Sequence, residues 1–327
     1  MTKNEQDKLI IAVPSKGRLQ ENAMAFFSRA GLVLERSRGS RDYRGSIQGF
    51  PNVEVLFLSA SEIVSQLASG AAHLGVTGED LVREQIADAD EHVESITPLG
   101  FGHANVVVAV PQAWIDVRSM ADLDEVASDL RTRHGSKMRV ATKYINLTRR
   151  FFADKGVSDY RIVESLGATE GAPASGSAEI IVDITSTGAT LVANGLKVLD
   201  DGVMLRSEAN LFASCKAQWG QGARTAIRQV LARISAAEEA RTNREISMVF
   251  EASRKQEVIK ILGQFRFIQI FGEQTNGLTL HCRNADIFQI VEALQNAGCD
   301  DITVRSFDYI FRSENPLLSR LEKRIGQ

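Results

Sequence analysis

The sequence predicts an α/β protein made of two sheet-and-helix lobes, followed by a small separate βαββαβ domain. Three observations carry this. Short apolar or β-branched runs alternate with longer helical patterns along the first two-thirds of the chain. Those runs are continuous rather than alternating, as in strands buried on both faces of a mostly parallel sheet. The polar run 238–245 (EEARTNRE) then marks the exit into a last segment with its own strand and helix order.

In order, 9–13 reads as a strand and 19–30 as a helix closed by Gly31. Strand 53–58, helix 60–68 closed by Gly70, strand 73–76, helix 80–87 and strand 105–110 follow. After them come helix 120–130, strand 138–141, helix 147–154 closed by Gly156, and strands 161–164 and 179–182. This is too much for one sheet, so the chain is divided into two lobes. The crossing falls at 99–104, where Gly100 and Gly102 loosen the backbone. The return is expected after Leu191, with strands 196–199 and 211–213 completing the first lobe. The expected domains are 1–100 with 191–220, then 101–190, a connecting helix at 221–244, and 245–327. The last of these reads strand 246–251, helix 255–262, strands 266–271 and 278–282, helix 285–297 and strand 302–305. That is the split-βαβ, ferredoxin-like order, and the segment 274–277 (QTNG) suits its hairpin turn.

Composition bounds the function. The 327 residues are 44% hydrophobic and 24% charged, ordinary for a globular protein of two or three domains. A net charge of −3 with scattered basic residues argues against a nucleic-acid partner. Cys215, Cys282 and Cys299 form no C-x-x-C pair, so free thiols in a reducing compartment are expected. The five histidines have no ligand spacing, and no protein-held metal is expected. The polar opening at 1–8 is unlike a signal peptide, and no run is long enough to span a membrane. The cytoplasm is the expected compartment.

The strongest chemical signal is 179–191, reading EIIVDITSTGATL. A buried strand ends in Asp183 and enters a loop with Thr185, Ser186, Thr187 and Thr190 around Gly188, before helix-compatible Ala189 and Leu191. Such a loop turns successive N–H groups into one concavity, and a phosphate suits it. Asp183 is placed to accept from a sugar hydroxyl. The plainer reading is a helix start capped by Ser186 or Thr187, for which four hydroxyls in six residues is an excess. The loop is neither a Walker loop nor G-x-G-x-x-G.

The other candidates also lie at strand ends. In 13–19 (VPSKGRL), Lys16 and Arg18 flank Gly17 where a helix dipole is positive. A bound anion would offset that repulsion; two solvated cations are the alternative. In 75–81 (GVTGEDL), Glu79 and Asp80 could face a base or sugar, or Thr77 and Asp80 could form a capping box. In 141–149, Lys143 and Tyr144 sit at a turn, with Asn146 or Thr148 as caps. The connection 164–173 brings Glu170, either a general base or a first-turn acid.

The segments 14–19, 75–80, 139–143 and 183–191 together resemble those of ATP phosphoribosyltransferase. The resemblance runs from Leu9 to about Ala213 and, more loosely, through the last domain. It implies a periplasmic-binding-protein-like two-lobed catalytic part. It also implies the reaction: N1 of ATP displaces magnesium-bound pyrophosphate from phosphoribosyl pyrophosphate. By resemblance, Asp183 engages ribose hydroxyls, and Thr187, Gly188, Ala189, Thr190 and Leu191 hold the 5-phosphate. Lys16 and Arg18, with Gly17 between them, then face pyrophosphate or ATP phosphates, and Glu79 and Asp80 the ATP side; Lys143 and Tyr144, at their turn, are further expected ATP contacts. Glu170 as proton acceptor is an inference from position. The segments 56–61 and 164–174 resemble the family's short form, which relies on a synthetase-like partner subunit. The C-terminal domain instead resembles the long form, with its homo-oligomer, dimeric or hexameric, and histidine inhibition. Two rivals are a two-lobed solute-binding protein and an orotate or purine phosphoribosyltransferase. The latter typically carries paired acids at the loop, where this chain has Val182 before Asp183.

Overall fold

The computed structural model describes residues 7–37, 43–265, 267–274 and 276–326, with backbone alone for 267–274. The expected strand at 266–271 begins on a residue outside this set. The QTNG turn contains another, and most of the polar opening lies outside it as well.

The first lobe runs β1 (Leu9–Pro14), α1 (Gly17–Arg29), β2 (Leu34–Arg36), β3 (Arg44–Ile47), β4 (Phe50–Leu58), α2 (Ala60–Ser69), β5 (Leu74–Gly78), α3 (Glu79–Gln85), α4 (Ala89–His92) and β6 (Val93–Pro98). The second runs β7 (Ala104–Pro111), α5 (Met120–His134), β8 (Met138–Thr142), α6 (Ile145–Asp154), β9 (Tyr160–Glu164), β10 (Ile180–Thr185), α7 (Ala189–Ala193) and β11 (Leu196–Ser207). The chain then returns to the first sheet in β12 (Ala209–Ser214). The sheet orders are β2-β3-β4-β1-β5-β12-β6 and β11-β7-β10-β8-β9.

Both sheets are mixed rather than mostly parallel. β4 and β5 flank β1 in parallel, as β9 and β10 flank β8. The strands that arrive from the other lobe run the opposite way: β12 against β5 and β7 against β10. Parallel order survives where a helix returns the chain to the same edge, and a chain crossing between lobes enters from the far end. Gly100 and Gly102 hold φ +72° and +70° in the first crossing, the left-handed region that favours glycine.

The return crossing falls later than the sequence implied. The run 196–199 belongs to β11, which pairs antiparallel with β7 in the second sheet. An apolar strand carries no mark of which sheet it joins. Asp200, Asp201 and Gly202 look like a turn, yet they sit in an irregular stretch of β11 with their charges engaged. Asp200 pairs with Arg118, and Asp201 accepts from Met120 N at 2.8 Å and Lys155 Nζ at 3.0 Å. The β2–β3 hairpin and β6 were not read from sequence; β2 and β3 are three and four residues long.

Continuous apolar strands do mean two covered faces. Val106, Val108 and Val110 of β7 join one buried cluster, and Val107 and Ala109 the opposite one. Helix α2 has a capping box between Ser59 and Glu62 and ends at Gly70 in the left-handed conformation.

After α8 (Gln221–Thr242) come β13 (Asn243–Val249), α9 (Lys255–Leu262), β14 (Phe267–Gln274), β15 (Gly277–Arg283), α10 (Ile287–Asn296), β16 (Asp300–Arg305) and α11 (Pro316–Ile325). The sheet order is β14-β15-β13-β16, antiparallel throughout, which is the ferredoxin-like arrangement. Its core holds Ile246, Met248, Leu278, Leu280, Ile290 and Leu294. By contacts the chain forms two compact units. One is Met1–Phe26, Leu34–Arg224 and Lys323–Gln327, containing both lobes; the other is Phe27–Val33 with Thr225–Glu322.

Candidate active site

In the second lobe the parallel strands β8, β9 and β10 end side by side at Thr142, Glu164 and Thr185. The connections leaving those ends form a cavity of ≈ 480 Å³. It is lined by Lys143, Glu170, Asp183, Thr185, Ser186, Thr187, Thr190, Leu191 and the loop 166–169. Ligands of α/β sheets collect at such carboxyl ends. Six strand-end residues expected from the loop, together with Lys143 and Glu170, are therefore gathered on one cavity. Gly188 and Ala189 shape its loop without lining it.

The loop is braced from within. Ile184 N donates to Asp183 Oδ1 at 2.8 Å, Gly188 N to Thr185 Oγ1 at 2.9 Å, and Ala189 N to Thr187 Oγ1 at 3.4 Å. Ser186 Oγ donates to the carbonyl of His103 at 3.0 Å, tying the loop to the first crossing. Gly188 has φ +76°, and a Cβ there would meet no heavy atom within 4 Å. Glycine is thus required by backbone conformation and not by a protein neighbour. Helix α7 has only five residues, so its macrodipole is small. An anion in the loop would be held by local N–H groups and hydroxyls. Ser186, Thr187, Ala189 and Thr190 are exposed.

Asp183 is partly buried, and burial pushes its carboxyl above the usual carboxylate range. The Ile184 N–H and the Lys143 charge pull the other way, and the neighbouring Glu170 charge adds to the rise. Two carboxylates facing one cation make a site that accepts hydrogen bonds from hydroxyls and whose charge responds to what else enters. Ala168, on the wall, holds φ +49°, a strained left-handed backbone for a residue with a Cβ.

Lys16, Gly17, Arg18 and Glu79 lie elsewhere, at the ends of β1 and β5 in the first lobe. They do not line the second-lobe cavity. Lys16 and Arg18 are exposed, and Gly17 holds φ +72° with open space around it. The segment is anchored from behind, where Arg36 Nη2 donates to the Ser15 carbonyl at 2.5 Å. Leu19, next in α1, comes within 3.6 Å of a Cβ built on Gly102, in the crossing whose His103 holds Ser186. Glu79 pairs with Arg83 at 3.4 Å.

Asp80 and Tyr144 require correction as ATP contacts. Tyr144 is 1% exposed, and its hydroxyl donates to Asp80 Oδ2 at 2.8 Å. Ser207 Oγ donates to Asp80 Oδ1 at 2.9 Å. Burial first, then the Asp80 charge, pushes the Tyr144 phenol far above its usual range. In this conformation both residues are buried and join the lobes. The capping box of Thr77 with Asp80 does not form either. Gly78 is the N-cap of α3, and Thr77 donates to the Ala60 carbonyl. Asn146 and Thr148 do not cap α6: the Asn146 amide donates to Glu84 O, and Thr148 to Tyr144 O.

Sequence reasoning missed Glu84 and Ser207. They act on residues 62 to 127 positions away, which no local pattern signals. The loop 166–169 lies within the glycine-rich connection 164–173 that the sequence singled out with Glu170. Among the described residues no cluster of three or more His, Cys, Asp or Glu side chains is placed to hold a metal, and no helix is long and apolar enough to cross a membrane.

The chain is similar to known proteins in sequence and in fold. Residues 59–236 match the HisG family, described as ATP phosphoribosyltransferase. An ATP phosphoribosyltransferase of Bradyrhizobium sp. (strain ORS 278) is 60% identical over 96% of this chain and 97% of its own. One from Nitrobacter winogradskyi is 58% identical with the same coverage. In fold, a chain of the ATP phosphoribosyl transferase (HisG:HisZ) complex from Thermotoga maritima covers 69% of this chain and 95% of its own, at TM-score 0.54 and 24% identity. The chain belongs to the ATP phosphoribosyltransferase family, whose reaction is the first step of histidine biosynthesis.

Proposed function

We propose that the second-lobe cavity binds phosphoribosyl pyrophosphate, with Asp183 on the ribose hydroxyls and the loop at Thr185, Ser186, Thr187, Gly188, Ala189, Thr190 and Leu191 on the 5-phosphate. One observation carries the reading: a braced loop of N–H groups and hydroxyls opens beside a half-buried carboxylate and a lysine in one cavity. Lys143, at the rim, balances the charge of Asp183 as the substrate's anions arrive. Lys16 and Arg18, with Gly17 allowing close approach, meet pyrophosphate or the ATP phosphates, and Glu79 lies on the ATP side. Asp80 and Tyr144 support the site by joining the lobes.

N1 of the adenine attacks C1 of the ribose as the bond to pyrophosphate breaks, and the sugar carries oxocarbenium character between them. The protein's work is then alignment and neutralisation. Magnesium arrives as part of the substrate, bound to pyrophosphate, and lowers the charge of the leaving group. Glu170 accepts the proton that the adenine amine sheds as the ring gains positive charge.

The C-terminal domain adds regulation and assembly. Its helices cover one sheet face, and Ser247, Val249, Thr279 and Thr303 lie along the other. Pairing with the same domain of a second copy buries that face symmetrically. Histidine acts as inhibitor by favouring one oligomer over another. A separate synthetase-like subunit is the other route to regulation. The cytoplasm, where ATP is made available, is the compartment.

The test is pyrophosphate release. It is expected only with phosphoribosyl pyrophosphate, ATP and magnesium together, and it is expected to fall when histidine is added. Equal release with orotate or hypoxanthine in place of ATP rejects the substrate assignment. Indifference to histidine rejects only the regulatory one.

A further inference from the structure

Helix α6 begins immediately after the turn that carries Lys143, and it has no cap of its own. Its N-cap residue is Tyr144, whose side chain makes no capping bond and whose hydroxyl is given to Asp80. No acidic residue stands in the first turn. The exposed N–H groups of a helix start need an acceptor. That acceptor comes from the other lobe. Glu84 Oε1 accepts from Asn146 N and Oε2 from Leu147 N, both at 2.9 Å, while Asn146 Nδ2 donates to the Glu84 carbonyl at 2.9 Å. Arg150, one turn further along α6, donates to the carbonyl of Arg83.

The turn itself is pinned on both sides. Tyr144 N donates to the buried Thr142 Oγ1 at 2.8 Å, and the Tyr144 ring is locked by Asp80. Between these two buried residues Lys143 alone is exposed, on the cavity that also presents Asp183. Its Nζ lies 5.0 Å from the centre of the Tyr144 ring. The place of Lys143 therefore depends on where α6 starts, and α6 starts against Glu84.

We propose that Glu84 is a positioning residue for the transfer reaction: its carboxylate, reaching from the first lobe, caps α6 and so fixes Lys143 opposite Asp183. A carboxylate is the right group, because it accepts two N–H bonds at once and its charge opposes the positive end of a ten-residue helix. Among the described residues the bonds of the Glu84 carboxylate go to Asn146 and Leu147, which do not line the cavity, so it acts through the turn. The proposal rests on the assignment of the second-lobe cavity to phosphoribosyl pyrophosphate.

The experiment is steady-state kinetics on four full-length chains: wild type, Glu84→Ala, Lys143→Ala and the double variant, with the two substrates varied separately. Glu84→Ala is expected to lower kcat/KM for phosphoribosyl pyrophosphate about tenfold, the scale of losing a charged helix cap. Lys143→Ala is expected to lose at least as much. The double variant is expected within about twofold of Lys143→Ala, because residues acting through one group do not add. Losses that multiply in the double variant, or a Glu84→Ala chain with wild-type kcat/KM, overturn the proposal and leave the cavity assignment standing. Full activity in Lys143→Ala instead removes the cavity assignment itself. Should Glu84→Ala fail to fold, Glu84→Gln keeps the length and one acceptor oxygen. It is expected to lose about threefold and to show the same non-additivity with Lys143→Ala; wild-type kcat/KM in that chain overturns the proposal as well.

Discussion

Two strand-end segments of this enzyme carry the groups suited to anions, and they are held in opposite ways. The loop 183–191 of the second lobe is braced by three of its own N–H bonds and by the Ser186 bond to the first crossing. Lys16 and Arg18 of the first lobe are exposed, and no ion pair joins either to a described residue. One segment is shaped before any ligand arrives, and the other supplies charge that no described residue pairs with. The difference implies a division of labour. The braced loop sets position, which rewards pre-organisation. The exposed cations answer the charge of phosphates brought by the substrates, where removing water strengthens them.

A large effect that could break this comparison is expected on the exposed side. Lys16→Ala is expected to lower kcat/KM by roughly tenfold to a hundredfold, the scale of a lost charged hydrogen bond. It is expected to leave the melting temperature equal or slightly raised, since a cation at a helix start costs about 0.3–1 kcal/mol without an anion. Kinetics with thermal unfolding checks both. A large drop in melting temperature with full activity would make Lys16 a structural residue.

A smaller effect sharpens the braced side. Asp183 must be ionised to accept from ribose hydroxyls, and burial raises its pKa. Activity should therefore fall, as the pH is lowered, at a higher pH than an ordinary aspartate would give. The Lys143 charge opposes that rise. In Lys143→Gln the acid limb of the kcat/KM profile is expected to move to still higher pH, while in Lys16→Gln it stays in place. An unmoved limb in Lys143→Gln would separate the lysine from the carboxylate.

The parts that could be read from sequence share a physical cause. Val106–Val110 announces a strand covered on both faces because every side chain must be apolar there, and it is. The loop 183–191 stands out because four hydroxyls around Gly188 exceed what a helix start needs, and Gly188 does adopt the left-handed backbone. What could not be read depends on partners far along the chain. β11 carries nothing to say that it pairs with β7 and not with the first sheet. Asp80 at a strand end resembles a ligand-facing acid until Tyr144 and Ser207 arrive from 64 and 127 residues away. Glu84 looks like a solvated helix residue, because the N–H groups it caps belong to another lobe.

The most direct test of the braced loop is calorimetry of magnesium phosphoribosyl pyrophosphate with wild type and Gly188→Val. Valine fits the space that the protein leaves, yet it cannot keep φ +76° without strain of about 1–2 kcal/mol. The loop would shift, and its branched carbon would stand where the 5-phosphate belongs. The account predicts a folded variant whose affinity is at least about a hundredfold weaker, equivalent to two lost charge-assisted hydrogen bonds. A folded Gly188→Val chain that binds phosphoribosyl pyrophosphate as tightly as wild type would contradict it.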